Sequence, residues 1–79
     1  MLFLRLRSLG EDEVVYDYMP GGEDADPGTI SLGLGSGEPT LVKRSADDDM
    51  PWYLGQALYR IERMRDEGHF SEFVQVAWY

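Results

Sequence analysis

The chain has 79 residues, no cysteine and a net charge of −8, which arises from fifteen acidic and seven basic side chains. This length favours a single domain over residues 1–79, and the absence of cysteine excludes disulfides and thiolate metal sites. Hydrophobic residues make up 43% of the chain, which is typical of a globular protein. From Ser8 to Val42 there are eight acids and no base, a balance that disfavours direct nucleic-acid binding.

The N-terminal run MLFLRLRSL lacks the features of a targeting segment. Arg5 and Arg7 interrupt its apolar residues, whereas a signal peptide has a continuous apolar region. No run approaches the roughly 18 apolar residues that a membrane helix requires. We therefore expect a cytoplasmic protein without membrane contact.

Two alternating runs near the N-terminus predict an antiparallel hairpin. Residues 2–7 place leucine at every even position and Phe or Arg at every odd one, which is the period of a half-buried strand. Residues 14–19 alternate in the same way, with Val14, Tyr16 and Tyr18 on one face.

Two shorter strands follow a loop rich in proline, glycine and acids, PGGEDADPG. The run TISLGLGS places Ile30, Leu32 and Leu34 on one face. A turn at GSGEP then leads into the short fourth strand TLVKRS, where Pro39 suits a strand start.

The segment from Pro51 to Glu67 has the periodicity of an amphipathic helix. Pro51 suits the first helical position, and the acids of SADDDMP favour the positive end of the helix dipole. Gly68 predicts the helix end, because the residue after a helix commonly adopts a left-handed conformation. The predicted core-facing side chains are Leu54, Ala57, Leu58, Ile61 and Met64.

The chain ends on the apolar run FVQVAWY, residues 73–79. Both of its faces are mostly apolar, which predicts a strand inserted within the sheet and not at its rim. The predicted fold is therefore an α+β two-layer sandwich in ββββαβ order, with a mainly antiparallel sheet and one amphipathic helix packed on one face.

The sequence contains no complete catalytic or metal-binding motif. GLGSGE lacks the last glycine and the following helix of a dinucleotide fingerprint. The runs EDADPG and DDD lack the glycine and glutamate positions of a calcium loop. His69 is the only histidine, and its place after Gly68 favours a capping role. We predict no catalytic residue, no metal site and no cofactor.

The side of the predicted helix opposite its apolar stripe carries Trp52, Tyr59 and Arg63, where polar residues alone are expected. One interpretation is that residues 20–28 or the chain end fold over the aromatics, and we expect this for Trp52. A second is a surface contact between Tyr59 and Arg63, which lie four positions apart. A third is a protein-contact surface, because Trp, Tyr and Arg are enriched in binding hot spots. For Tyr59 and Arg63 the structural and the protein-contact interpretations stay open.

Three functional hypotheses follow. The leading one is a non-catalytic protein-binding or adaptor module, or a homodimer joined through the helix or a sheet edge. The second is an acidic decoy that imitates nucleic acid and binds a basic nucleic-acid-binding protein. The third is a small ligand-binding domain or enzyme, with Asp17 and Glu72 as candidate acids. The layout, above all WYLGQALYRIERMRDEGHF followed by VAWY, is typical of small bacterial single-domain proteins.

Overall fold

A five-stranded antiparallel sheet carries one helix across one of its faces in the computed structural model, which describes residues 1–35, 38–48 and 52–76. The order is ββββαβ, so the predicted α+β two-layer sandwich is confirmed. The elements are β1 (Leu2–Leu9), β2 (Glu13–Pro20), β3 (Gly28–Gly33), β4 (Thr40–Lys43), α1 (Trp52–Glu67) and β5 (Phe73–Val76).

The strands lie in the order β4-β3-β2-β1-β5, so β5 is an edge strand that pairs with β1. The prediction that the last strand lies inside the sheet is therefore wrong. Its two faces are apolar for a different reason: Val74 is buried on the helix side, while the ring of Phe73 packs against Phe3 on the opposite side, with centroids 5.3 Å apart. Residues 77–79 of the predicted strand lie outside the described residues.

The core lies between α1 and one face of the sheet. This face is formed by the alternating apolar residues of β1, β2 and β3, as the sequence predicts. Burying each large apolar side chain there contributes about 1.5–3 kcal/mol. Leu54 and Leu58 of the predicted helical stripe are partly buried against this core. The buried cluster consists of Leu2, Leu4, Val14, Tyr16, Tyr18, Ile30, Leu32, Ala57, Ile61, Met64 and Val74.

Two irregularities interrupt the strand alternation. The register of β1 against β2 shifts between Leu6 and Ser8, and the register of β3 against β4 shifts between Thr29 and Ile30. A bulge inserts one extra residue and re-aims the neighbouring side chains. Here it places Ser8 opposite Val15, on the face away from the helix. Uninterrupted alternation would instead have turned the Ser8 side chain toward the core.

Both central tyrosines of β2 are fully buried and hydrogen-bonded. The Tyr16 hydroxyl donates to the carbonyl of Ser71 at 2.6 Å. The Tyr18 hydroxyl accepts from the backbone N–H of Ser45 at 3.1 Å. Burial raises the pKa of Tyr16 to about 12, although the Arg60 guanidinium acts in the opposite direction. Burial also raises the pKa of Tyr18.

The β2–β3 loop and the segment before α1 are fastened together by side-chain hydrogen bonds to backbone groups. Asp47 Oδ2 accepts from the Asp26 N–H at 2.6 Å, and Asp26 Oδ2 accepts from the Ala46 N–H at 2.9 Å. Ser45 is buried, and its hydroxyl donates to the Asp26 carbonyl. We call Tyr18, Asp26, Ser45, Asp47 and Asp48 the polar clamp.

The same clamp begins the helix. Asp48 is buried, and its two carboxylate oxygens accept from the N–H groups of Tyr53 and Leu54 at 3.3 and 3.1 Å. These N–H groups have no partner within the helix, so a carboxylate there satisfies them and complements the positive end of the helix dipole. Pro51 and Asp49, which were predicted to take part in the helix entrance, lie outside the described residues.

The helix ends where the sequence predicts. Gly68 has a φ of 78°, and its N–H lies 3.1 Å from the Arg65 carbonyl, while the His69 N–H donates to the Met64 carbonyl at 3.2 Å. This pair of bonds is the Schellman arrangement, which satisfies carbonyls that the helix leaves unpaired. The predicted capping role of His69 is thus carried by its backbone.

Gly28 allows the clamp to approach β2. A Cβ atom at this position would overlap the ring of Tyr18 and lie 2.8 Å from the Ser45 nitrogen.

We expect Gly28→Ala to lower the free energy of unfolding by at least about 2 kcal/mol, because backbone and a buried ring must both move. Gly55→Ala is the matched control, since a Cβ there meets open space, and it should raise stability by about 0.5–1 kcal/mol. Urea denaturation of both variants tests this, and equal effects would contradict the packing described.

The buried tyrosines make stability depend on pH in the alkaline range. A folded-state pKa of about 12 for Tyr16 exceeds the unfolded value of about 10. Its contribution is therefore complete below pH 10 and is lost as pH rises toward 12, by at most about 1.4 kcal/mol per pH unit. Tyr16→Phe loses the hydrogen bond to Ser71, which costs about 1 kcal/mol at neutral pH.

We accordingly expect the stability advantage of the wild type over Tyr16→Phe to fall as pH rises from 10 and to change sign before pH 12, because the loss exceeds the about 1 kcal/mol of the hydrogen bond. Urea denaturation at a series of pH values measures it. A difference that stays constant across this range would show that Tyr16 ionises as freely in the folded chain as in the unfolded one.

Candidate functional site

Two large aromatic side chains are exposed on the outer side of α1. Trp52 is 60% exposed and Tyr59 is 67% exposed, and Arg63 is exposed one turn further on. Positions seven and eleven residues apart return to the same side of a helix, so these three residues share one face. We call Trp52, Tyr59 and Arg63 the helix surface. It lies opposite the buried positions of α1, as the sequence predicts.

Tyr59 and Arg63 are brought together, whereas Trp52 stands apart near the helix start. A shallow cleft of about 160 Å³ is lined by Tyr59, Glu62, Arg63 and Asp66. Within the described residues, the Arg63 guanidinium makes no cation–π contact with the Tyr59 ring and no ion pair. Neither side chain is therefore held in place by the other.

The β2–β3 loop does not cover Trp52, whose side chain is 60% exposed. Asp26 and Asp47 hold this loop against residues 44–48, so the expectation is wrong for the loop. The chain end, which was the other expected cover, comprises residues 77–79 and lies outside the described residues.

The two candidate acids occupy different environments. Asp17 lies in the middle of β2, on the face away from α1, where its Oδ1 accepts from the Thr29 hydroxyl at 2.8 Å and lies 3.3 Å from Nη1 of Arg7. Glu72 is exposed just before β5, and its backbone carbonyl accepts from the Leu6 N–H. The Asp17 carboxylate is thus paired with Thr29 and Arg7, and it does not lie beside Glu72.

Three acids of the acidic runs form hydrogen bonds within the chain. Asp26, Asp47 and Asp48 each accept backbone N–H bonds, and Asp26 also lies 3.8 Å from the Lys43 ammonium. Across residues 1–35, 38–48 and 52–76, no group of three or more histidine or acidic side chains is arranged to hold a metal ion. These acids act mainly as backbone acceptors.

Two exposed apolar side chains on the sheet face opposite α1 were not anticipated from the sequence. They are Val42, which is 62% exposed, and Phe73, which is 43% exposed, and they lie among polar side chains. Val42 is the extra residue where the β3–β4 register shifts. A bulge depends on strand pairing, so no local sequence signal reveals it.

Comparison with protein-family models, curated proteins and solved structures found no match for this chain. No helix among the described residues is both long and apolar enough to cross a bilayer. The physical properties of the exposed surfaces therefore carry the functional argument.

Proposed function

We propose that this chain is a non-catalytic protein-binding module that contacts its partner through the helix surface. The observation that supports the proposal is the pair of aromatic side chains on one face of α1, 60% and 67% exposed. Exposed apolar residues scattered singly need no explanation. Trp and Tyr on one helical face together with Arg match the composition of binding hot spots.

The helix surface suits a partner that supplies a pocket or groove. An aromatic side chain buries about 150–250 Å² when covered, and α1 presents two of them about 10 Å apart along its axis, given a rise of 1.5 Å per residue. A groove that accepts residues at i and i+7 of a helix is a common mode of recognition. Arg63 and the cleft beside Tyr59 would add polar contacts at the border.

Charge favours a basic partner. The chain carries −8, and acids Glu62 and Asp66 line the same cleft as Arg63. An oppositely charged partner would associate faster at low ionic strength, because long-range attraction raises the encounter rate. A second copy of the chain is the other occupant of this surface to be considered, and its like charge opposes it.

The alternative functions have less support. A nucleic-acid decoy needs acids displayed at phosphate-like spacing, but the carboxylates of Asp26, Asp47 and Asp48 accept backbone bonds inside the polar clamp. An enzyme or ligand-binding role based on Asp17 and Glu72 would need them in one pocket, but the cleft that Glu72 lines with Arg5 and Phe73 does not include Asp17.

The test compares two double variants that remove exposed apolar side chains without changing charge. Trp52→Ala/Tyr59→Ala removes the aromatics of the helix surface, and Leu9→Ala/Leu41→Ala removes two exposed leucines elsewhere. We expect the first variant to stay folded but to weaken partner binding by at least about 30-fold, the effect of one lost hot spot. The leucine variant should bind like the wild type.

The measurement is quantitative affinity capture from a lysate of the source organism, followed by calorimetry with the purified partner. Arg63→Gln, measured in the same way, reports the contribution of the guanidinium. A partner that binds the wild type and Trp52→Ala/Tyr59→Ala equally would contradict the assignment of this surface.

A further inference from the structure

The helix surface borders a shallow cleft whose chemistry narrows the choice of partner. The cleft measures about 160 Å³ and is lined by Tyr59, Glu62, Arg63 and Asp66. Side chains three, four and seven positions apart follow one side of a helix. An exposed aromatic ring thus lies beside two carboxylates and one guanidinium on the outer side of α1.

The two carboxylates of the cleft have no partner within the part of the chain that the structure describes. Neither Glu62 nor Asp66 forms an ion pair there, and neither carboxylate accepts a hydrogen bond. By contrast, the carboxylates of Asp17, Asp26 and Asp48 accept hydrogen bonds inside the chain. Like charges four residues apart weaken a helix slightly. Proteins break such local rules mainly at functional sites, so this uncompensated pair points to a contact outside the chain.

The Tyr59 ring beside these carboxylates also lacks a partner. Its side chain is exposed, and no described aromatic ring or arginine stacks on it. Arg63, one turn further along α1, leaves the ring face uncovered. The face of a tyrosine ring attracts a cation, and the planar guanidinium of arginine stacks on it well. The cleft therefore offers a stacking surface and hydrogen-bond acceptors side by side.

The charge of the cleft selects a cation over an anion. Its two carboxylates against the one guanidinium of Arg63 leave a net charge of −1, and the whole chain carries −8. Glu62 and Asp66 lie four positions apart, which places their Cβ atoms about 5–6 Å from each other. A guanidinium has five N–H donors in a fixed fork and can donate to both carboxylates, whereas the lysine ammonium is a compact point charge.

We propose that the cleft binds an arginine side chain of the partner, with its guanidinium stacked on the Tyr59 ring and donating to Glu62 and Asp66. This inference rests on the proposed function and deepens it, because it names the side chain that a basic partner brings to the helix surface. Trp52, two turns earlier, supplies the apolar contact. Glu62 and Asp66 then determine which basic partner is accepted.

Nuclear magnetic resonance of the isotope-labelled full chain tests the cleft without the partner. The probe is N-acetyl-arginine amide, and its control is N-acetyl-citrulline amide, which has nearly the same shape and no charge. We expect the arginine probe to shift the amide signals of residues 59–66 and to bind at least about tenfold more tightly than the citrulline probe.

Two double variants remove the same charge from different places. Glu62→Gln/Asp66→Asn neutralises the cleft, and Glu67→Gln/Glu72→Gln neutralises two exposed acids that do not line it. We expect the cleft variant to bind the arginine probe at least about tenfold more weakly than the wild type. The control variant should bind the probe like the wild type, because the two variants differ only in the local contacts that they remove.

A pair of variants at position 59 tests the stacking separately. Tyr59→Phe keeps an aromatic ring, whereas Tyr59→Leu keeps only an apolar side chain. Tyr59→Phe should retain the affinity for the arginine probe, and Tyr59→Leu should lower it about threefold or more, the effect of one exposed cation–π contact. Circular dichroism checks that every variant is folded.

Shifts at residues 59–66 that are lost in the cleft variant and kept in the control variant support the proposal. Equal binding of the two probes, or equal binding by the two double variants, would overturn it, because any binding would then reflect general attraction to an acidic chain. Retained affinity in Tyr59→Leu would overturn the stacking. The proposed function fails on a different result, namely a partner that binds Trp52→Ala/Tyr59→Ala like the wild type.

Discussion

The polar clamp is the constraint on which the arrangement of this small fold depends. Ser45 is at its centre, because its N–H donates to the Tyr18 hydroxyl and its hydroxyl donates to the Asp26 carbonyl. Asp48 extends the clamp to the helix by accepting from the N–H groups of Tyr53 and Leu54. Tyr18, Ser45 and Asp48 of the clamp are buried, whereas Asp47 is exposed, and buried polar groups stabilise a fold only when they have hydrogen-bond partners. The clamp thereby joins the sheet, the β2–β3 loop and the helix start.

Fixing these segments has a consequence for the molecular surface. Because Asp26 and Asp47 hold the β2–β3 loop against the segment before α1, the loop does not cover the aromatic side of the helix. Among the described residues, α1 packs on one face of the sheet and its aromatic outer side is left exposed.

Local periodicity was sufficient to predict the element order and most of the apolar core, because Leu2 and Leu4 of β1 and Val14, Tyr16 and Tyr18 of β2 alternate regularly up to the bulge after Leu6. The position of β5 at the sheet edge was not predictable. The outward-facing Phe73 packs against Phe3, a partner 70 positions away in the sequence, and a single local run does not reveal such a contact. The candidate residues of the helix surface followed from helical spacing. Their exposure depended on where the β2–β3 loop is fastened, which the spacing of single residues does not determine.

The measurement that tests this account most directly is native-state hydrogen exchange of the amides that donate to clamp side chains. These are the N–H groups of Asp26, Ser45, Ala46 and Asp47 outside the regular elements, and of Tyr53 and Leu54 in the first turn of α1. The account predicts exchange at least about 100-fold slower than in an unstructured peptide, close to that of neighbouring sheet amides. Exchange at unprotected rates would contradict it, because the β2–β3 loop would then be free to cover the helix surface.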